Sequence, residues 1–476
     1  MTNSKIFAAL LLFQISHVVF SQDRAWDVPE PREFKDAIIP GLIAGAEILF
    51  ANGTFTFVNW LAGWDWAVPT AESIRFNLSN SWIWEDDDGF IVNQLGHPFQ
   101  GSLYFAAGRV NGFGFYQNVF FGTFGSATWE ALFENKHASI NDFFVTVPGS
   151  LAAGEISYRL YVEAHAAGVP AFLAFFLSPT AGLHRLVTGW EPPAAERNLY
   201  ELRYFLGFGY AHTRSSIPGL EGSGDLEKIN REELFSYDGV YGDLGVKLIY
   251  GNPFEQDTWV PYRHFEFAVS YGLNPGRYND IRLLTDGYLF SFSPIYSNVY
   301  SNRRSMSTGL SMNMDFNARG RHDIHDSTVN HYSNALNWTL KYQHLFPQST
   351  AMQIKGHAGF TFMGASKFYS PEVEGELNNY GYGLNSKLFF NLENRRLGRL
   401  EMDLLGYVMW NYPGTSVLDH GTVFWLFSDI SYSRFVSEKF SLGITGSFAR
   451  EWGRFDGFPD TRKRNDSVRM FVAWNM

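Results

Sequence analysis

From about residue 201 to the C-terminus the chain alternates apolar and polar side chains with a period of two. In a β-strand that period sends successive side chains to opposite faces, so each run presents one greasy face and one polar face. Leu336, Trp338, Leu340 and Tyr342 interleave with Asn337, Thr339, Lys341 and Gln343. Phe440, Leu442, Ile444, Gly446 and Phe448 interleave with Ser441, Gly443, Thr445, Ser447 and Ala449, and Phe265, Phe267, Val269 and Tyr271 with His264, Glu266, Ala268 and Ser270. Twelve candidate strands follow, near 201–213, 243–251, 262–272, 279–292, 306–316, 334–345, 350–364, 380–392, 398–411, 422–435, 439–450 and 466–476. A soluble sandwich gives the same alternation, but its strands cluster around five or six residues. Most of these runs reach the roughly 9 to 11 residues that a tilted strand needs to cross a bilayer.

The connections support the same reading. From the fifth strand onward long ones (317–333, 365–379, 413–421, 451–465) alternate with short ones around Pro347, Asn394 and Ser437. Outer-membrane barrels alternate in this way, with long outward loops and tight periplasmic turns, and the pattern puts this C-terminus on the periplasmic side. Between the first and fifth strands the rule breaks. The turn at Pro275 and Gly276 is too short for its side and 294–304 too long, so a strand between 252 and 306 reads as misplaced and ten to fourteen strands stay open. The last run, with Val468, Met470, Val472 and Trp474 on one face, resembles the terminal strand that barrel assembly machinery reads, although it ends on Met476.

Composition fits. Aromatics make up 17% of the chain and charged residues 18%, apolar and polar being interleaved as a barrel requires. Uninterrupted apolar runs of about 20 residues, the mark of helical membrane proteins, do not occur: 37–62 is broken by Pro40, Glu47, Asn52 and Gly53, and 166–177 is too short. A net charge of -11 argues against nucleic-acid partners. With no cysteine, disulfides, thiolate metal sites and lipid attachment drop out. Ile6 to Phe20, behind Lys5, reads as a signal peptide cleaved near Ser21. The expected destination is the bacterial outer membrane. The chain then divides into 1–21 (signal peptide), 22–72 (polar lead-in and apolar helical segment), 73–195 (mixed strand and helix) and 196–476 (barrel).

The N-terminal half has a different grammar. Ala37 to Ala62 reads as one or two helices with kink points at Pro40 and Gly53. Residues 73–84 and 101–109 look strand-like or irregular, and 125–136 reads as a short helix with Glu130 and Glu134 on one face. Ser139 or Asn141 caps a following helix that carries Glu155, Arg159 and Glu163, and 170–177 forms an apolar helix stopped at Ser178-Pro179. Such apolar helices need a surface to bury against, which the barrel lumen or the inner leaflet would supply.

One run is specific enough to suggest kinship. It comprises Asn93-Gln-Leu-Gly-His97-Pro98-Phe-Gln-Gly101-Ser-Leu-Tyr104, Arg109-Val-Asn111-Gly112, Ser126, Trp129-Glu130, Glu134, Asn141-Asp142, Thr146, Gly154-Glu155, Ser178-Pro179 and His184-Arg185. Over about 75–190 this resembles the uncharacterised bacterial family known as domain of unknown function 3943. The resemblance implies an outer-membrane envelope protein and assigns no reaction, ligand or catalytic residue.

The polar residues of the run are the candidate site: His97, Arg109, Asn111, Glu130, Glu134, Asn141, Asp142 and Glu155. Buried together they must pair or bind something. A structural network is favoured over catalysis, for which His97, Arg109, Glu130 and Asp142 are the candidates. A metal site of His97, Glu130, Glu134 and Asp142 lacks the Glu-x-x-His spacing of carboxylate di-iron bundles. A lipid hydrolase reading pairs His97 with Ser102 or Ser126, but outer-membrane phospholipases place the serine two residues after the histidine, where this chain has Phe99. The acidic run Glu85 to Asp88 fails as a calcium loop at both its first and last ligand and reads as an exposed turn. Arg462, Lys463 and Arg464 lie in the last long loop and could meet anionic lipopolysaccharide, but a solvated loop tip is the favoured reading.

The whole therefore reads as an antiparallel transmembrane β-barrel of about twelve strands, with the helices packed in or under the lumen. Three roles follow: a plugged pore or structural envelope protein, an envelope hydrolase using the His97 to Glu155 block, or a receptor or adhesin using the long loops. Outer-membrane lipid, lipopolysaccharide and the assembly machinery are the expected partners; no cofactor or metal is expected, and oligomeric state stays open.

Overall fold

The structure, a computed structural model, describes residues 34–64, 68–84, 89–193, 198–216, 236–252, 254, 258–274, 278–296, 303–320, 329–347, 349–370, 375–413, 420–456 and 460–475. The signal-peptide stretch and the acidic run 85–88 lie outside these residues.

Twelve antiparallel strands close into one barrel: β1 (Leu199–Ser216), β2 (Ser236–Tyr250), β3 (Phe265–Asn274), β4 (Tyr278–Tyr296), β5 (Arg303–Gly320), β6 (Val329–Phe346), β7 (Thr350–Ser370), β8 (Gly375–Asn394), β9 (Gly398–Asn411), β10 (Gly421–Phe435), β11 (Phe440–Phe455) and β12 (Thr461–Asn475). Each strand pairs with its sequence neighbours, and β1 closes on β12 with Tyr204 opposite Trp474. Closure leaves no free sheet edge. The expectation of a misplaced strand between 252 and 306 is corrected: β3 and β4 pair antiparallel along their length, and 258–264 precede β3 as a segment tied to the wall by the bridge of Thr258 to Ser291. Most strands run several residues past the sequence-read limits, so the apparent long loops are partly strand; β5 ends only at Gly320 and β6 starts at Val329. Arg462, Lys463 and Arg464 likewise lie in β12 instead of a loop tip, and Lys463 Nζ sits 3.2 Å from Glu451 inside the barrel.

The outward phase is apolar. Leu206 and Phe208 on β1, Leu442 and Ile444 on β11, and Met470 and Val472 on β12 are exposed. Aromatic pairs border this belt: Tyr204 with Trp474 and Phe440 with Trp474 near the chain termini of the barrel, Phe424 with Trp452 and Tyr382 with Trp410 at the far end. Phe440 and Trp452 are twelve residues apart on β11. At about 3.3 Å per residue and a tilt near 40° that separation projects to about 30 Å, the thickness of a bilayer's hydrocarbon core. The end carrying Leu199 and Asn475 is called terminal below, the other distal.

Before the barrel come α1 (Phe34–Leu61), α2 (Ala71–Ser79), a π-helical turn Val92–Gly96 leading into α3 (His97–Val110), α4 (Asn118–Thr128) continued by a π-helical turn Trp129–Phe133, α5 (Ile140–Ala166), α6 (Ala171–Ala174) and α7 (Pro179–Thr188). Residues 71–79 and 101–109 are thus helical where the sequence reads strand-like or irregular, and the helix expected over 170–177 shrinks to one turn. Glycine normally disfavours helix, but on α3 it permits contact. A Cβ on Gly101 would meet the Thr146 carbonyl of α5 at 2.6 Å, and one on Gly154 of α5 would meet Phe105 of α3 at 2.5 Å.

The helices do not enter the lumen. Asp315 on β5 points inward, its partner Tyr407 standing on β9, so by alternation Met314 and Phe316 point outward. Both are buried, in one cluster with Phe90, Val145 and Ala152 of the helices and with Leu283, Tyr332, Met363 and Tyr380 of neighbouring strands. At the terminal end Phe105, Phe115 and Ile156 cover Leu248, Tyr250 and Phe265 in the same way. The block lies against the outer wall, obliquely from the distal ends of β5–β8 to the terminal ends of β2 and β3. The expectation of helices packed in or under the lumen is corrected accordingly. The inward phase already fills itself with ion pairs and with a cluster of its own around Leu405, Tyr407 and Trp425, whereas the outward phase leaves apolar surface for the helices to cover.

Candidate functional site

The eight signature residues are all buried, and they separate into two groups. The distal group holds His97, Glu130, Glu134, Asn141 and Asp142. Ser139 caps α5 by accepting from the Asp142 amide, as one of the two expected caps, and this turn brings its own amide to Glu130 Oε2 at 2.8 Å. His97 Nε2 stands 3.6 Å from Asp142 Oδ1. Asn141 Nδ2 donates to Asp142 Oδ1 at 3.1 Å and to the Tyr380 hydroxyl of β8 at 3.2 Å, anchoring the group to the barrel wall. Ser102 donates to the Phe99 carbonyl of its own helix. Among the described residues no group of three or more histidine, aspartate or glutamate side chains is arranged to hold a metal ion.

The second group lies toward the terminal end. Glu155 of α5 takes Arg109 Nε at 2.9 Å and Arg159 Nε at 2.7 Å, while Arg159 also donates to the Pro261 carbonyl at 2.9 Å. Arg109 stacks over Tyr158, 4.7 Å from the ring centre. Asn111 donates to Glu47 Oε2 at 2.8 Å, and His184 Nδ1 meets Glu47 Oε1 at 2.6 Å, tying α1 and α7 to α3. His97 and Arg109 are twelve residues apart on one helix, about 18 Å. The four candidates named for catalysis therefore do not surround one cavity.

A third set, inside the barrel, was not singled out from the sequence. Arg282 of β4 pairs with Asp429 of β10, and those strands are six apart in a ring of twelve, directly opposite. Arg319 of β5 reaches the same Asp429 at 3.5 Å, and Arg203 and Lys247 of β1 and β2 converge on Glu401 of β9 at 2.5 and 3.1 Å. Lys387 pairs with Asp315; Lys355 holds Glu266 at 2.5 Å and Asp286 at 3.1 Å, with Lys341 also on Glu266. The cavity left among them, about 190 Å³, is lined by seven Lys or Arg and seven Asp or Glu side chains. The formal charges of these side chains cancel, so the lining carries no net excess that would concentrate ions of one sign. The signal for this set was in the alternation, since Glu266 and Lys341 occupy the polar phase of their strands.

A closed ring of twelve strands, with an apolar outside, aromatic borders and a charged inside, defines the transmembrane β-barrel class. Within it, residues 81–180 match the family Domain of unknown function (DUF3943), which bears out the resemblance and confines it to the helical block. No curated protein matches the chain. Solved structures that overlap it include an outer membrane channel from Pseudomonas putida F1, 11% identical with a TM-score of 0.28 over 58% of this chain and 95% of that one. The P. putida toluene transporter TodX overlaps at 8% identity and a TM-score of 0.22, covering 59% and 90%. Outer membrane phospholipase A of Escherichia coli overlaps at 10% and 0.21, covering 57% and 90%. At such scores none of them lends this chain a role.

Proposed function

We propose that this protein is exported behind a signal peptide cleaved near Ser21 and works in the bacterial outer membrane as a sealed barrel, a structural envelope anchor and not an open channel. The observation that carries this is the pairing of Arg282 with Asp429 across the full width of the lumen. Eight-stranded barrels fill with ordinary side chains, and a twelve-stranded one is wider; here long charged side chains meet in the middle and take the place of a plug. The apolar belt of about 30 Å between aromatic borders supports the bilayer setting. On this reading the barrel assembly machinery inserts the chain and lipopolysaccharide meets its distal end.

The test is conductance. Purified protein added to planar lipid bilayers gives no steady stepwise current, and the double variant Arg282→Ala with Asp429→Ala does. Regular single-channel steps from the unaltered protein overturn the proposal.

A further inference from the structure

α1 is built inside out by the standards of a soluble helix. Its buried stripe is Ala44, Ile48, Asn52 and Asn59, small or polar apart from Ile48, while Ile39, Leu42, Phe50, Phe57 and Leu61 are all more than half exposed. A soluble amphipathic helix does the reverse. Its charged residue away from the N-terminal turn, Glu47, is turned inward and held by His184 and Asn111. Asn52, also inward, donates to the Gly125 carbonyl and accepts from Tyr104. Behind it the helices meet through small residues: a Cβ on Gly122 would meet Ser150 at 2.5 Å, one on Gly125 would meet Tyr104 at 2.3 Å, and one on Gly149 would meet Pro98 at 2.6 Å. Close contact through small residues, with polar side chains facing other helices, is how helices associate in lipid.

Length agrees with polarity. α5 touches the barrel wall at Asn141, which bonds Tyr380 two residues from the distal aromatic Tyr382, and at its other end Glu163 accepts from the Asn198 amide just before β1. Those 22 residues rise about 33 Å, against a hydrocarbon core of about 30 Å. Lys35–Leu61 is itself apolar and long enough to cross. The block covers part of the barrel's lipid-facing wall and replaces it with another apolar surface.

We infer that the helical block is embedded in the bilayer beside the barrel, and that lipid acyl chains cover the exposed face of α1. This rests on the membrane setting proposed above. A second copy or another protein on the same face would call for no continuity with the barrel's belt and no match to bilayer thickness.

The chain has no cysteine, so single cysteines can be spin-labelled without background. Leu42→Cys, Phe50→Cys and Phe57→Cys report on α1, Leu442→Cys on the barrel belt, and Glu438→Cys, 82% exposed in a turn, on water. The full-length protein is reconstituted in phosphatidylcholine vesicles, and relaxation by oxygen is compared with relaxation by a water-soluble nickel chelate. The expected result is that all three α1 sites match Leu442→Cys, with oxygen dominant. Nickel access at the level of Glu438→Cys places α1 in water and overturns the inference; poor access to both reagents shows a protein cover and overturns it too. Water access at Leu442→Cys itself would instead refute the membrane setting of the barrel.

Discussion

Asp429→Asn is the sharpest probe of the lumen. The carboxylate serves Arg282 from the opposite wall and Arg319 at 3.5 Å. A full charge pair at about 3.5 Å is worth about 5 kcal/mol at an effective dielectric constant near 20, before desolvation is subtracted. Neither guanidinium is left alone, because Arg282 keeps Asp403 at 3.3 Å and Arg319 keeps Asp280 at 3.4 Å. Asparagine also retains a carbonyl acceptor. The expected loss is therefore about 3 kcal/mol, the lower end of the range for breaking a buried pair, or a little over a hundredfold in the folding equilibrium. Replacing both Arg282 and Asp429 with leucine restores the balance of charge, at the cost of the Arg282–Asp403 pair, and should recover part of that loss. Equilibrium urea unfolding of protein refolded in detergent micelles, followed by tryptophan fluorescence, measures both variants. A change below about 0.5 kcal/mol for Asp429→Asn, the scale of exposed ion pairs, would mean that the lumen is hydrated and that its ion pairs do not seal it.

Two further outcomes concern the helices. Glu155→Gln leaves Arg109 and Arg159 facing each other without their shared carboxylate and should cost the block about 3 to 5 kcal/mol; hydrogen exchange should show α3 and α5 losing protection while the strands keep theirs. Gly149→Leu drives a side chain into Pro98, whose Cβ stands 2.6 Å from the added Cβ, and should cost at least the 1 to 3 kcal/mol typical of overpacking. Limited proteolysis should then cut within 89–193 while the barrel stays heat-modifiable on gels, because strand pairing closes the ring without the helices.

All twelve strands coincide with runs read from alternation, although the loop pattern cast doubt on the stretch 252–306 and left the count open, since a bilayer outside and a polar lumen inside write the same period of two that defines a strand. What alternation does not encode is who covers the outward phase. Phe316 and Leu442 are both large and apolar, yet a helix covers the first and the second is exposed. That degeneracy put the helices in the wrong place. The glycines of the helices carry a related blind spot: the sequence shows their low helix propensity, not the neighbour that leaves no room for a side chain. The signature residues are buried, but their spacing along α3 already separated His97 from Arg109 by more than three turns. Helical geometry alone could have divided the candidates between two ends.

The division bears on what the signature is for. Asp315 and Phe316 are consecutive, yet the first belongs to the charged lumen and the second to the helical interface. One sheet thus separates two polar interiors, and the signature's side chains pack on the side away from the lumen. Glu130, Glu155 and their neighbours meet helices, the wall through Tyr380, or the terminal connection through Pro261, and none of these contacts reaches an inward-facing side chain. These contacts tie one helix to another, to the barrel wall or to the connection before β3. The family match over 81–180 falls on these helices and on their seat against the barrel wall.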